Sequence, residues 1–495
     1  MKKNLLLFFA VWFVLILANL NYLDAPPYWD DLVGLHTQAM WHVNHNFNLW
    51  QLWQSPVKSG SSNLYPLGIL PLLYGMLYQA LPPVAVHIVG HLFNMACLAG
   101  CFVLCLNLVR RYQPWPVAVI AALTALADPI TAGQSAALGQ ECPLALLTLL
   151  SLHSFFRHHH KTAYVWAVAA FLIKYTGILL LLAYAVYWSG ILALNYWKRQ
   201  RLGSCWRPWL WSAVVLLAGI AAMCLFKGTQ EGAKENFSAI LLMLRVVFFS
   251  WHYYPLLMLK VIVAMLALAC LWRCRRNRIG LLRFPLLLVA IFCAGFCTAF
   301  FFHVLPLPRY FLTIIFPLSI LLFAVIPPRA ALWGGLLVIA LQLANLNGAF
   351  YSPLRAMPRS GALLERSREY LADLDANRRL CRWLEENADN RPVIAKWPFT
   401  HMLTVPQFGY VTRPLQSVYC PYPVHDCARG VTVFGADLSR LPPDVLCLYA
   451  DNDFEYMFRS VRLRPPPDAA IVYADEDDPR SLLIYQVPQR PAGAP

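Results

Sequence analysis

The sequence predicts an all-α polytopic membrane bundle over residues 1–350 and a C-terminal soluble α/β domain over residues 351–495. Three observations carry this prediction. The 495 residues are 59% hydrophobic and only 13% charged, with a mean hydropathy of +0.52, whereas soluble domains carry about 25% charged residues. Several apolar runs reach the roughly 20 residues that a helix needs to cross a bilayer. Finally, the first 364 residues hold only seven acids, Asp24, Asp30, Asp31, Asp128, Glu141, Glu231 and Glu235, and the other 18 of the 25 follow them. The net charge of +15 comes from basic runs lying between apolar segments. That is the pattern of cytoplasmic loops and anionic lipid headgroups, and it excludes a nucleic-acid partner.

Lys2 and Lys3 place the N-terminus in the cytoplasm. The apolar stretch after them is longer than a signal-peptide core and has no small-x-small cleavage site before Asp24, so it reads as a retained first span. Residues 21–63 then lie outside, with Lys58 as their one basic residue. They predict one or two interfacial helices, with Trp41, Phe47, Trp50 and Trp53 dipping into the headgroups. Residues 64–82, broken by prolines, read as re-entrant or interfacial. Clear spans follow at 86–108 and 115–130, and another starts at Glu141 and returns to the basic run Arg157–Lys161. Residues 162–197 have basic runs at both ends, so they require two short helices with a break near Lys174-Tyr175-Thr176-Gly177. Spans at 208–227, 255–273, 282–303, 310–326 and 331–348 complete a count of about eleven, N-terminus in and C-terminus out.

This parity places Asp24, Asp30, Asp31, Asp128, Glu141, Lys174 and Arg309 at one face of the membrane, the outer one. The counting used basic loops and not acids, so the convergence is partly independent of it. Past residue 350, residues 363–388 read as an amphipathic helix with Leu364, Tyr370, Leu374, Leu380, Trp383 and Leu384 on its apolar positions. The short runs at 393–395, 445–449, 470–473 and 482–487 suit strands. Most cysteines lie in apolar runs and read as small buried hydrophobes. Cys420 and Cys427 instead flank Pro421-Tyr422-Pro423 and are candidates for a disulfide in an oxidising compartment.

Ionisable groups at membrane depth are costly and so are candidates for function. In Pro26-Pro27-Tyr28-Trp29-Asp30-Asp31, a carboxylate among aromatic neighbours loses hydration and becomes a better proton acceptor. Asp30 is thus a candidate base, and Asp31 can strengthen it, orient an acceptor hydroxyl or hold a divalent cation. Against these stand a solvated loop, a helix cap, or structural pairing with Lys174 or Arg309. Glu141 reads as a catalytic candidate or as a carboxylate favouring a helix start. Asp128 before Pro129 reads as a helix terminator rather than a catalyst. Lys174 either snorkels or binds an anion, and Arg309, set between Pro308 and Tyr310 on the outer side, calls for an anionic partner such as a phosphate. His36, His42, His45, His303 and His401 show no diagnostic metal spacing, and His158, His159 and His160 read as a solvated basic run.

Four features together resemble the GT-C glycosyltransferases: the acid pair after the first span, Gly139-Gln140-Glu141-Cys142-Pro143, Leu172-Ile173-Lys174-Tyr175-Thr176-Gly177, and Pro308-Arg309-Tyr310 ahead of a span holding Pro317. Among these enzymes the chain is most similar to protein O-mannosyltransferases and lipid A aminoarabinose transferases, over roughly residues 1–350. It departs from the family in having Asp30-Asp31 where Asp-Glu is usual and Glu141 where Asp is common. The resemblance implies a polyprenyl-phosphate-linked sugar donor and transfer with inversion to a hydroxyl of a lipid, glycan or protein acceptor. It implies Asp30 as general base, with Asp31 and Glu141 in the catalytic group. Lys174, Arg309 and Tyr310 would hold the donor phosphate; the resemblance names no certain cofactor, and a divalent cation at the acid pair stays open. It also implies a bacterial inner-membrane protein of the cell envelope with a periplasmic C-terminal domain, in contact with membrane lipids. A lipid or glycan transporter (or flippase) and a non-catalytic envelope assembly protein are the competing readings. A transporter should show repeat symmetry and broken helices near the midplane, and the sequence shows no repeat.

Overall fold

The computed structural model describes residues 2–28, 31–48, 68–197, 205–226, 285–301, 308–346, 367–368, 370–396 and 398–420. In the C-terminal domain it further describes residues 424–426, 431–433, 444–450, 465, 469–476 and 482–486. The expected span at 255–273 and residues Asp30, Trp50, Trp53, His303, Leu364 and Cys427 lie outside the described residues.

The first helix, α1 (Lys2–Ala18), is apolar all round and buries none of its residues. Its Leu6, Phe13 and Val14 face outward, as suits a span at the edge of a bundle, and Trp12 Nε1 donates to the Leu92 carbonyl at 3.0 Å. A single π-helical turn (Asp31–His36) leads into the short α2 (Thr37–Asn44). Next comes α3 (Ile69–Ala80), which packs against α2 and at 12 residues is about 18 Å long. The spine of the bundle is α4 (Pro83–Val109), started by a proline at its first position where no backbone donor is lost. Cys97, Cys101 and Cys105, four residues apart, lie on its buried side.

The region expected as one span at 115–130 is two helices, α5 (Trp115–Leu126) and α6 (Pro129–Ser135), bent by 64°. Asp128 makes the bend. Its Oδ1 accepts the Ile130 amide at 3.0 Å and its Oδ2 accepts Gln342 Nε2 at 3.1 Å, so the acid, expected as a helix terminator, is the N-cap that starts α6. Antiparallel helices α7 (Glu141–Phe156) and α8 (His160–Ile173) follow. The break expected near Lys174 is present as a 3-10 turn (Tyr175–Gly177) before α9 (Ile178–Trp197). Gly177 is required here, because a Cβ would stand 2.5 Å from the Ala170 carbonyl carbon. The remaining membrane-type helices are α10 (Trp206–Phe226), α11 (Pro285–Phe301), α12 (Leu312–Val325) and α13 (Pro328–Ala344). Among the described residues, two helical segments are each long and apolar enough to cross a membrane alone, Pro83–Val109 and Tyr175–Trp197, and the bent pair makes a third. The other apolar helices are shorter.

The C-terminal domain opens with α14 (Tyr370–Asn387), which buries Leu371, Leu374, Leu380 and Leu384 on one face. Its five-stranded mixed sheet runs in the order β2 (Val418–Tyr419), β1 (Val393–Ile394), β5 (Leu446–Ala450), β7 (Leu482–Gln486), β6 (Ala470–Ala474). Strand β1 is parallel to both of its neighbours, and β7 is antiparallel to both of its own. A two-stranded ribbon pairs β3 (Val424–Asp426) with β4 (Val431–Val433). Short helix α15 (Phe399–Thr404) lies between β1 and β2.

One core fills the helical bundle. A second joins Leu32, Leu35 and Met40 of the first loop to Leu70 and Tyr78 of α3, and both to Leu380, Phe399, Met402 and Phe408 of the C-terminal domain. The ends of α7 and α8 enter this second core through Leu144 and Ile173. The C-terminal domain therefore sits at the end of the bundle that carries Asp31, Glu141 and Lys174. Trp41, expected among the headgroups, is instead buried within the protein: it is 2% exposed, and its ring stacks on His45 at 4.1 Å.

Candidate active site

Each described charged residue of the site stands where a helix starts or breaks, so its backbone is fixed by that helix. Asp31 opens the π-helical turn, its amide bonded to the Tyr28 carbonyl at 3.1 Å. Glu141 is the first residue of α7, where the helix dipole favours a carboxylate. Lys174 is the extended residue that ends α8. Arg309 lies in a 3-10 turn (Pro308–Phe311) leading into α12.

These four come together in space. Lys174 Nζ donates to Glu141 Oε1 at 2.5 Å. Arg309 reaches Asp31 Oδ1 through Nη1 and Glu141 Oε1 through Nε, both at 3.5 Å. Tyr310 closes the group, with Lys174 Nζ 4.1 Å from its ring centre and the Arg309 guanidinium carbon 5.4 Å away, within cation–π range. All four charged residues are buried: Asp31 6%, Glu141 1%, Lys174 9% and Arg309 2% exposed. Lys174 thus does not snorkel to water.

The carboxylates approach each other across Gly139. A Cβ there would lie 2.7 Å from Glu141 Oε2 and within 3.0 Å of both Asp31 oxygens, so the glycine is the space they occupy. Among the described residues two carboxylates face two cations, and opposite charges make one another's burial tolerable. The Lys174–Glu141 contact is short, whereas the 3.5 Å contacts of Arg309 exceed the roughly 2.7–2.9 Å of a charge-assisted hydrogen bond. Glu141 Oε2 is buried and has no hydrogen-bond partner among the described residues. A cluster of this kind can hold an anion against its cations while keeping carboxylates beside it.

The structure thus brings together five of the six predicted site residues, Asp31, Glu141, Lys174, Arg309 and Tyr310. The sixth, Asp30, lies outside the described residues. Among the described residues, no three His, Cys, Asp or Glu side chains converge as metal ligands. Of the other histidines, His158 and His159 are exposed, but His160 is half-buried and meets the Trp188 ring edge-on at 5.3 Å.

Two supporting residues stand out in the structure: Asn94, which was not singled out from the sequence, and His36, which was weighed there only as a metal ligand. Asn94, buried in α4, donates Nδ2 to the carbonyls of Ala137 at 2.8 Å and Gly139 at 3.3 Å, which fixes the turn ahead of Glu141. A lone asparagine in an apolar span was the available signal. His36 bonds Tyr78 at 2.7 Å through Nδ1 and meets the Leu138 carbonyl at 3.4 Å through Nε2. Burial, and then the nearby His87, push the His36 pKa well below its usual value. Its neutral imidazole links α3 to the same turn.

No protein-family model and no curated protein matches this sequence. Solved structures do. The crystal structure of ArnT from Cupriavidus metallidurans bound to undecaprenyl phosphate aligns over 98% of both chains with a TM-score of 0.52 at 14% identity. The apo structure of the same protein also aligns over 98% of each chain, with a TM-score of 0.48 at 15% identity. The lipid-bound structure shows that the two proteins share a fold along their whole length, which is the level at which the resemblance to aminoarabinose transferases is met.

Proposed function

We propose that this chain is a membrane glycosyltransferase that moves a sugar from a polyprenyl-phosphate carrier to an acceptor hydroxyl at the outer face of the membrane. The observation that carries this reading is the buried group of Lys174 and Arg309 against Asp31 and Glu141, in a fold shared with a protein crystallised with undecaprenyl phosphate. Its membrane domain is residues 1–350, with about eleven crossings. Residues 351–495 stand on the periplasmic side of a bacterial inner membrane, and the N-terminus is cytoplasmic. The basic loops and the docking of the C-terminal domain beside the acids support this orientation.

The chemistry is a single displacement. Asp30 takes the proton of the acceptor hydroxyl, the acceptor oxygen bonds the sugar's anomeric carbon, and the bond from that carbon to the phosphate oxygen breaks on the opposite side, inverting the configuration. The leaving polyprenyl phosphate gains one negative charge. Lys174 and Arg309 stabilise that charge as it develops in a site already shaped for it. Tyr310 keeps both cations oriented, while Glu141 holds Lys174 in place until the phosphate arrives. Asp31 orients the acceptor beside Asp30. The leaving group is a good one, so no general acid is needed.

The test is purified protein given a polyprenyl-phosphate sugar and an extract of envelope acceptors. Asp30→Asn should fold and bind donor but lose about 10²- to 10⁴-fold in turnover, the usual contribution of general-base catalysis. Lys174→Ala and Arg309→Ala should also weaken donor capture. Near-wild-type turnover by a stable Asp30→Asn protein would remove Asp30 from the base role.

A further inference from the structure

The segment leading to the acid pair is held one residue after another. Arg378 Nη2 of α14 donates to Asp24 Oδ2 at 3.1 Å. His91 of α4 meets the Ala25 carbonyl at 2.9 Å. The Tyr410 hydroxyl donates to the Pro27 carbonyl at 3.0 Å. The Tyr28 ring stacks on Tyr370 with centres 5.6 Å apart and planes at 25°. The Tyr28 carbonyl then accepts the amides of Asp31 at 3.1 Å and Leu32 at 3.4 Å. Backbone placement therefore passes from Tyr28 directly into the turn that carries Asp31.

Tyr370 has a second attachment. Its hydroxyl donates to the Gly133 carbonyl at 3.0 Å, and its ring shares a buried cluster with Ala136 and Ala137, two residues ahead of Gly139. One side chain of the C-terminal domain thus touches both carboxylate-bearing segments, the loop to Asp31 and the turn to Glu141. Tyr370 and Tyr410 are each 1% exposed.

We propose that Tyr370 and Tyr410 are positioning residues, through which the C-terminal domain sets the spacing of Asp31 and Glu141 in the membrane domain. The proposal rests on the transferase reading above for its catalytic consequence and on contacts alone for its mechanical one. Removal of the Tyr410 hydroxyl takes the side-chain donor from the Pro27 carbonyl, and removal of the Tyr370 hydroxyl leaves the Gly133 carbonyl with the Ala136 amide; either change loosens one carboxylate segment against the other, while Lys174 and Arg309 keep their places.

Two readouts on the full-length protein separate these consequences. The first is hydrogen exchange, which reports local opening without reference to activity. In Tyr410→Phe, exchange of the amides at residues 31–36 should rise by about 5- to 100-fold, the range for one buried hydrogen bond left half-made, and in Tyr370→Phe the rise should fall on residues 134–140, which follow the Gly133 carbonyl that loses the hydroxyl. Exchange within α7 and α9 should not change. The second is kinetics: kcat should fall by a factor in the same range while KM for the polyprenyl-phosphate sugar holds. Unchanged exchange at the segment named for each variant, or a rise spread evenly over the chain, would overturn the proposal. So would faster exchange there with kcat intact. Faster exchange in a protein whose wild type transfers no sugar supports the mechanical link and overturns the transferase reading instead. Tyr370→Phe keeps the ring stack on Tyr28 and serves if Tyr410→Phe fails to fold.

Discussion

Glu141→Gln probes the site most directly, because Glu141 is the shared counter-ion. Its Oε1 lies 2.5 Å from Lys174 Nζ and 3.5 Å from Arg309 Nε, with the side chain 1% exposed. Neutralising it leaves Lys174 buried beside an amide, and breaking a buried pair by removing one partner costs about 3–5 kcal/mol. If the cations receive a lipid phosphate, that phosphate replaces the missing carboxylate. Recovery of half the loss on binding would be about 2 kcal/mol, or about 30-fold tighter binding in the variant than in wild type. The assay is thermal unfolding in detergent with and without undecaprenyl phosphate, with undecaprenol as the uncharged control. Glu141→Gln should melt below wild type without lipid, and undecaprenyl phosphate should narrow the gap where undecaprenol leaves it. For scale, a ligand at 100 times its Kd stabilises a fold by about 2.7 kcal/mol, so the difference is measurable. A gap that undecaprenyl phosphate leaves unchanged or widens would refute the assignment of Lys174 and Arg309 to the phosphate. They would then be structural partners of the acids.

Three further outcomes follow from particular contacts. Gly177→Ala should lower stability by about 1–3 kcal/mol, the usual cost of overpacking, because its Cβ would stand 2.5 Å from the backbone of Ala170 and Phe171; a denaturation midpoint equal to wild type would show that the break at Lys174 is not tightly packed. Acid should destabilise the fold through His36. Its folded pKa lies below the ordinary 6.5, so below that pH the unfolded chain takes up more protons than the folded one, and stability falls as pH drops; His36→Gln should flatten the melting temperature between pH 7 and pH 5 if this residue carries the effect. A reporter active only outside the cytoplasm should be active when fused after residue 355, and activity of a cytoplasm-only reporter there would reverse the orientation and with it the outer-face site.

The site was legible in the sequence because its residues break local rules. Asp31, Glu141, Lys174 and Arg309 are charges in apolar surroundings, and each stands at a turn marked by proline or glycine, so cost and punctuation coincide. The helix at residues 370–387 and the strands of the sheet were readable for the opposite reason: the helix follows its 3.6-residue period, and the strands are short apolar runs between polar turns. Trp41 was misplaced because an aromatic beside polar residues looks the same in sequence whether it meets headgroups or, as here, a histidine ring inside the protein. Asn94 and His36 gave weak signals, since a single polar residue in an apolar helix has no period and its partner is a backbone carbonyl 43 residues away for Asn94 and 102 for His36. The least legible feature is the hold of Tyr370 and Tyr410 on the acid-bearing segments. Tyr410 and Pro27 are 383 residues apart, and a tyrosine that donates to a carbonyl resembles any other core tyrosine. The charges of the candidate site are therefore readable one by one, whereas the distances between them are set by ordinary core residues. Long-range packing fixes the carboxylate spacing across Gly139, so substitutions there should change rate before they change binding.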